Sequence, residues 1–140
     1  MNDIAALIIA RGGSQRLPRK NARQFCGRPL VAWSVIQAKC SRRVDWVYLS
    51  TDDDEIADIG REYGAEIIRR PEWSDADKAA GNRPFVHMME VLRDGGRLPN
   101  RVVMLLPTSP LRKPDDIDRG IEHQAVTGFK VQAVAPRRET

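Results

Sequence analysis

Apolar residues along this chain fall into two recurring patterns, short unbroken runs and segments with helical spacing, and the two alternate. Ile4 to Ala10 is a continuous apolar run, as expected of a strand buried on both faces. Pro29 to Lys39 carries Leu30, Trp33, Val35 and Ile36 at spacings that one helix face can bury, with Pro29 suited to the first turn. Val44 to Ser50 is rich in β-branched and aromatic residues and reads as a second strand. Thr51 and Asp52 then offer an N-cap, with Glu55 at capping-box distance from Asp52. The helix so started turns Ile56 and Ile59 inward and has Tyr63 near its end, where Gly64 is a natural C-cap.

A short strand is expected at Ala65 to Arg69, followed by a polar loop from Arg70 to Asn82. Arg83 to Arg93 has the spacing of a helix burying Val86, Met89 and Leu92, closed by Gly95 and Gly96. Arg101 to Leu106 reads as another buried strand. Pro114 opens a helix with Ile117 and Ile121 on one side, and Lys130 to Ala135 reads as a last strand. Serial βα units predict an α/β fold, a Rossmann-like and mostly parallel sheet with helices on both faces. Ligands of such sheets bind beyond the carboxyl ends of the strands, which points to the loops after Ala10, Ser50 and Leu106. The 140 residues suit one domain. A last strand with no helix after it makes residues 1–140 the expected first part of a longer architecture.

Composition narrows the classes. Hydrophobic residues are 41% and charged residues 30%, a globular balance, and no apolar run reaches the roughly 20 residues of a membrane span. The opening stretch lacks the basic n-region of a signal peptide. Cys26 and Cys40 match neither a disulfide framework nor a zinc pattern, and read as free thiols in a reducing cytoplasm. Ile4 to Val44 contains nine Lys or Arg and no Asp or Glu, although the whole chain is only +4. This asymmetry points to an anionic ligand on the N-terminal part. Nucleic acid is disfavoured as that ligand: aromatics are 6%, recognised binding motifs are missing, and the cations cluster in one loop.

That loop follows the first strand. Gly12 and Gly13 allow close backbone approach and positive φ, so that several N–H groups can face one anion. Arg11, Arg16, Arg19 and Lys20 add cations, and Ser14 and Asn21 neutral donors. Neither a G-x-x-x-x-G-K-[ST] nor a G-x-G-x-x-G pattern is present. On chemistry alone the loop is either a polyphosphate site or an ordinary solvated βα loop.

The order of residues favours the first. ARGGSQRLPRKN followed by FCGRPLVAWSV, then VYLSTDDDEIADIGREYGAEIIRRP and LLPTSPLRKPDDI, resembles the acylneuraminate cytidylyltransferase family. That family includes the synthetases that activate sialic, legionaminic and pseudaminic acids. The resemblance implies transfer of CMP from CTP to the anomeric hydroxyl of a nonulosonic acid, with release of pyrophosphate. It implies that Arg11 and Lys20 act on the triphosphate, and that Gly12, Gly13, Ser14, Asn21, Arg70, Thr108 and Ser109 bind substrate. It also implies Mg²⁺, with ligands not identified in this chain, CTP and a 2-keto sugar acid as partners, and a homodimer for the full-length architecture. Two positions depart from the family pattern. Gly81 stands where a small hydroxyl residue is common, and Leu106 where a glutamine often precedes PTSP. Leucine cannot read a base edge by hydrogen bonding. An acceptor such as KDO or a phosphonate is consistent with these two changes, and a truncated CTP-binding module without catalysis is a separate alternative.

Other candidates have simpler readings. Asp52 to Asp54 suit a cap and a helix dipole better than a metal. His87 and His123 lack matching partners and read as helix residues, and Trp33 and Trp46 as core. Trp73 in the polar loop is a candidate cover for nucleotide or sugar.

Overall fold

The computed structural model describes residues 3–12, 20–71, 83–107 and 112–127. Six strands, four α-helices and one 3₁₀ turn (Lys20–Ala22) occur among them: β1 (Ile4–Ile9), β2 (Gln24–Phe25), β3 (Arg28–Pro29), α1 (Leu30–Cys40), β4 (Trp46–Thr51), α2 (Asp54–Glu62), β5 (Glu66–Arg69), α3 (Arg83–Asp94), β6 (Arg101–Leu105) and α4 (Pro114–Thr127). Four strands form a parallel sheet in the order β5-β4-β1-β6. The chain starts at β1, winds outward through β4 to β5, then returns to the other side of β1 with β6. That reversal makes the crevice at the strand ends the expected ligand site.

Alternation along β1 separates two cores. Ile4, Ala6 and Ile8 pack with Val31 and Val35 of α1, Ile56 of α2, and Ile117 and Ile121 of α4. Ala5 and Leu7 face the other way, onto Phe85, Met88 and Leu92 of α3. Helices thus cover both faces, and Ala5 to Ile8 are fully buried, which is why that stretch is apolar throughout.

Several expected side-chain positions shift. In α3 the buried stripe is Phe85, Met88 and Leu92, while Val86 is exposed and Met89 only partly covered. Leu92 is buried as expected, while Phe85 and Met88 take the places expected of Val86 and Met89. Trp46 is exposed rather than core, since burial of β4 starts at Val47. Helix α1 is buried around most of its girth at Val31, Ala32, Ser34, Val35, Gln37 and Ala38, leaving Leu30, Trp33 and Ile36 half-buried. Pro29 belongs to β3 and precedes the helix. Strand β6 is not buried throughout: it is the outer strand among the described residues, and Met104 is exposed. The strand expected at Lys130 to Ala135 lies outside the described residues.

The hairpin of β2 and β3 was not legible in the sequence. Its two-residue turn has positive φ at both Cys26 and Gly27, the arrangement that matches strand twist. Trp33 donates its indole N–H to the Phe25 carbonyl at 2.6 Å, and the Arg28 guanidinium lies over both the Trp33 and Tyr63 rings.

Helix α2 sits close to the sheet because residue 60 has no side chain. A Cβ at Gly60 would fall 2.5 Å from Leu49 Cδ2 and 2.7 Å from Ile67 Cδ1. Gly60→Ala is expected to destabilise the fold by about 1–3 kcal/mol through overpacking, even though alanine is the better helix former. Urea unfolding measures this; unchanged or increased stability would show that the helix can lift off the sheet without cost.

Candidate active site

The loops after β1, β4 and β5 meet at the carboxyl ends of the strands. Beyond β4, Thr51 is the last strand residue and Asp53 is the N-cap of α2, its carboxylate accepting from the Ile56 N–H at 3.0 Å. This corrects the expectation that Asp52 caps the helix. The strand runs one residue further than Ser50, so the cap passes to Asp53 and Asp52 is released to face the β1 loop. There its Oδ1 accepts the Gly12 N–H at 2.9 Å and lies 3.9 Å from Arg70 Nη2.

Gly12 is buried, with φ outside the positive region. Its missing side chain serves a purpose other than the expected positive φ. A Cβ there would lie 2.7 Å from Asp53 Cβ, so glycine is needed for the β1 loop to seat on the start of α2. Arg11 is exposed beside it, and its carbonyl accepts the Asn21 side-chain amide at 2.9 Å, tying the far end of the loop back to its beginning.

Arg70 is the buried cation of the group. Its side chain is 9% exposed. Burial pulls its pKa below the ordinary arginine value, Asp52 opposes that pull, and the Arg11 charge adds to it. The guanidinium still carries its charge at neutral pH. Arg11 and Arg70 are close enough to disfavour each other, as cations gathered around an anion site would be. His87, on α3, is half-buried and feels Arg70 as well. Its pKa is lowered by burial and by Arg83 and Arg70, against a raising effect of Glu90, so it is neutral at pH 7.

Beyond β6, Arg112 donates to Gln37 Oε1 at 2.8 Å and to the Leu106 carbonyl at 2.9 Å, joining the end of this strand to α1. Its signal in the sequence was slight, one arginine in a basic stretch. The Leu106 side chain is exposed at the same end of the sheet.

The structure therefore brings Arg11, Gly12, Asn21 and Arg70 together. Gly13, Ser14, Arg16, Arg19, Thr108 and Ser109 lie outside the described residues, as do Trp73, Gly81 and the side chain of Lys20. The implied Mg²⁺ finds no cage here: among the described residues no three His, Cys, Asp or Glu converge. The three successive aspartates are each engaged within the protein, Asp52 with Gly12, Asp53 with Ile56, and Asp54 with Arg69 at 2.9 Å. No described helix is long and apolar enough to cross a membrane.

Comparison with known proteins bears on what this arrangement serves. Residues 5–134 match the family model described as Cytidylyltransferase. The chain belongs to the cytidylyltransferase family. It is 36% identical over 143 residues to a CMP-N,N'-diacetyllegionaminic acid synthase of Legionella pneumophila, covering 95% of this chain and 58% of that protein. It is also 36% identical to a pseudaminic acid cytidylyltransferase of Campylobacter jejuni, over 83% of this chain and 50% of the relative. Against an N-acylneuraminate cytidylyltransferase of Oncorhynchus mykiss the identity is 32%, over 90% and 28% of the two chains. Among solved structures, a CMP:2-keto-3-deoxy-manno-octonic acid synthetase complexed with CTP superposes with a TM-score of 0.70 at 20% identity, over 90% of this chain and 48% of that one. A 4-diphosphocytidyl-2C-methyl-D-erythritol synthase gives 0.71 at 11% identity, over 91% and 56%. These structural likenesses show a shared fold. This cytidylyltransferase-family chain spans about half the length of several of the relatives it matches.

Proposed function

We propose that this chain is the nucleotide-binding portion of an enzyme that transfers CMP from CTP to the anomeric hydroxyl of a nonulosonic acid, releasing pyrophosphate. The observation that carries this reading is the meeting of Arg11, Gly12, Asn21 and Arg70 at the carboxyl ends of β1 and β5, in a chain of this family. In the reaction the acceptor hydroxyl gives up its proton to solvent and its oxygen bonds to the α-phosphorus, while the bond from that phosphorus to the pyrophosphate oxygen breaks. The transfer asks the protein for alignment and charge compensation more than for covalent chemistry. Arg11 and Lys20 offset the charge that collects on the leaving pyrophosphate. Arg70 and Asn21 hold the nucleotide, Gly12, Gly13 and Ser14 bind its phosphates, and Thr108 and Ser109 contribute further substrate contacts. The resemblance to enzymes named for legionaminic, pseudaminic and N-acylneuraminic acids supports a nine-carbon 2-keto acid as acceptor.

A second reading rests on one observation. Leu106 is exposed just after β6, at the position where the family pattern that this sequence resembles often has a glutamine. Together with Gly81 in the sequence, this departure from the pattern is consistent with a different acceptor, such as KDO or a phosphonate. Isothermal titration of the chain with CTP, UTP and ATP tests the nucleotide half of the proposal. Micromolar CTP binding with weaker UTP and ATP binding is expected, and failure to bind CTP would overturn it. A pyrophosphate-release assay across legionaminic, pseudaminic, N-acetylneuraminic and KDO acceptors, and a phosphonate, tests the rest. If the 140 residues act only as a binding module, CTP binds and no acceptor releases pyrophosphate.

A further inference from the structure

The carboxylate of Asp52 touches two parts of the candidate site at one atom. Oδ1 accepts the backbone N–H of Gly12 at 2.9 Å and stands 3.9 Å from Arg70 Nη2. Gly12 belongs to the loop after β1 and Arg70 follows β5, while Asp52 itself follows β4. One oxygen thus joins the ends of three neighbouring strands. The seating is tight beside it, since residue 12 has no room for a Cβ against Asp53. None of this is required for starting α2, because Asp53 makes the cap.

Two roles are open to an anion in this place. It could stand in for a phosphate and leave when the nucleotide arrives, or it could stay and hold the groups that meet the nucleotide. Burial of Arg70 favours the second. A guanidinium whose side chain is 9% exposed needs counter-charge to remain buried, and among the described residues Asp52 is a carboxylate that supplies it. Asp52 is itself 46% exposed, so solvent meets the cost of its own charge while Oδ1 faces inward. The Gly12 bond is backbone to side chain and would be lost if the carboxylate swung away.

We infer that Asp52 is a positioning residue, which keeps the Gly12 loop and the Arg70 guanidinium aligned for the triphosphate of a bound nucleotide. The inference rests on the CTP reading proposed above. Asp52 does not touch the ligand; it acts through Arg70 and through the backbone at Gly12.

The test is a double-mutant cycle read by CTP titration, with urea unfolding run on each variant to confirm a folded chain. Asp52→Ala is expected to weaken CTP binding about tenfold or more, the scale of losing a charge-assisted contact. Asp52→Asn, which keeps an acceptor for Gly12 N–H and loses the charge, is expected to fall between Ala and wild type. In an Arg70→Ala background, Asp52→Ala should cost clearly less than it does alone, because the two act as a unit. A purely structural role would lower stability and leave the two effects on CTP additive. Unchanged or tighter CTP binding by Asp52→Ala or Asp52→Asn would overturn the inference and make the carboxylate a phosphate stand-in. Additivity with Arg70→Ala would overturn it as well. If the wild-type chain binds no CTP, the functional reading falls and takes this inference with it. Wild-type binding with an unaffected Asp52→Ala rejects the inference alone.

Discussion

Arg70→Ala is expected to weaken CTP binding by about a hundredfold, the largest single effect on function among the described residues. A hydrogen bond to a charged group contributes about 1.5–3 kcal/mol, and each 1.4 kcal/mol is about a factor of ten in affinity. The Arg70 side chain is 9% exposed, so it is held in one place before the ligand arrives and loses little freedom on binding. Its removal also leaves Asp52 without its guanidinium neighbour, a negative charge turned toward a polyanion. Arg70→Lys keeps the charge but lacks the planar fork, and is expected to recover only part of the affinity. Raising salt should narrow the gap between wild type and Arg70→Ala modestly, since a buried cation is screened less than an exposed one. Titration calorimetry measures all three proteins. Wild-type affinity in Arg70→Ala would remove Arg70 from the site.

The largest expected effect on stability lies elsewhere, at Asp118 on α4. Its carboxylate is almost fully buried and accepts from the Ser41 hydroxyl and from the N–H groups of Arg42 at 3.1 Å and Arg43 at 3.3 Å, with the Arg42 guanidinium nearby. Ser41 in turn accepts from the N–H groups of Arg43 and Val44. One carboxylate therefore shapes the whole connection between α1 and β4 and fastens it to α4. Asp118→Ala is expected to destabilise the chain by about 2–3 kcal/mol, because several partly buried donors lose their acceptor together. Urea unfolding would show it as a lower midpoint with an unchanged slope.

The same group sets an acid limit. Burial raises the carboxyl pKa, but the Ser41 hydroxyl, the two N–H donors and the Arg42 charge outweigh it, leaving Asp118 below its ordinary value. The unfolded chain therefore takes up this proton first as pH falls. The stability Asp118 contributes is complete above about pH 4 and is lost as pH drops toward its folded value. Asp118→Asn should be less stable at neutral pH and lose less on further acidification. Parallel slopes for the two proteins below pH 4 would assign the acid sensitivity to other carboxylates.

Much of the architecture was legible because burial on both sheet faces forces a residue pattern of its own. Ile4 to Ile9 is apolar throughout since no position of a central parallel strand meets water. Gly64 closes α2 with φ near 100°, as expected of a glycine at a helix end. Ile117 and Ile121 are buried on one side of α4 as their spacing predicts. The failures are of a different kind. In α3, residues 85, 88 and 92 and residues 86, 89 and 92 are both apolar sets with helical spacing. Sequence periodicity cannot choose between two stripes about 100° apart; contact with Leu7 and Tyr48 of the sheet chooses.

The candidate site divides along the same line. By itself the sequence pointed to the loop after β1 as a candidate anion site, because a glycine pair and a cluster of cations after an apolar strand are local properties, and it determined the family. It could not determine which of three successive aspartates caps α2, since all three carry the same short carboxylate. That choice depends on where β4 ends, and the pairing of Ser50 and Thr51 with Ile68 and Arg69 settles it in favour of Asp53. Only the tertiary structure could then turn Asp52 toward Gly12, 40 positions earlier, and Arg70, 18 positions later. Separations of that size are closed by the packing of β1, β4 and β5 side by side, and no local pattern encodes them.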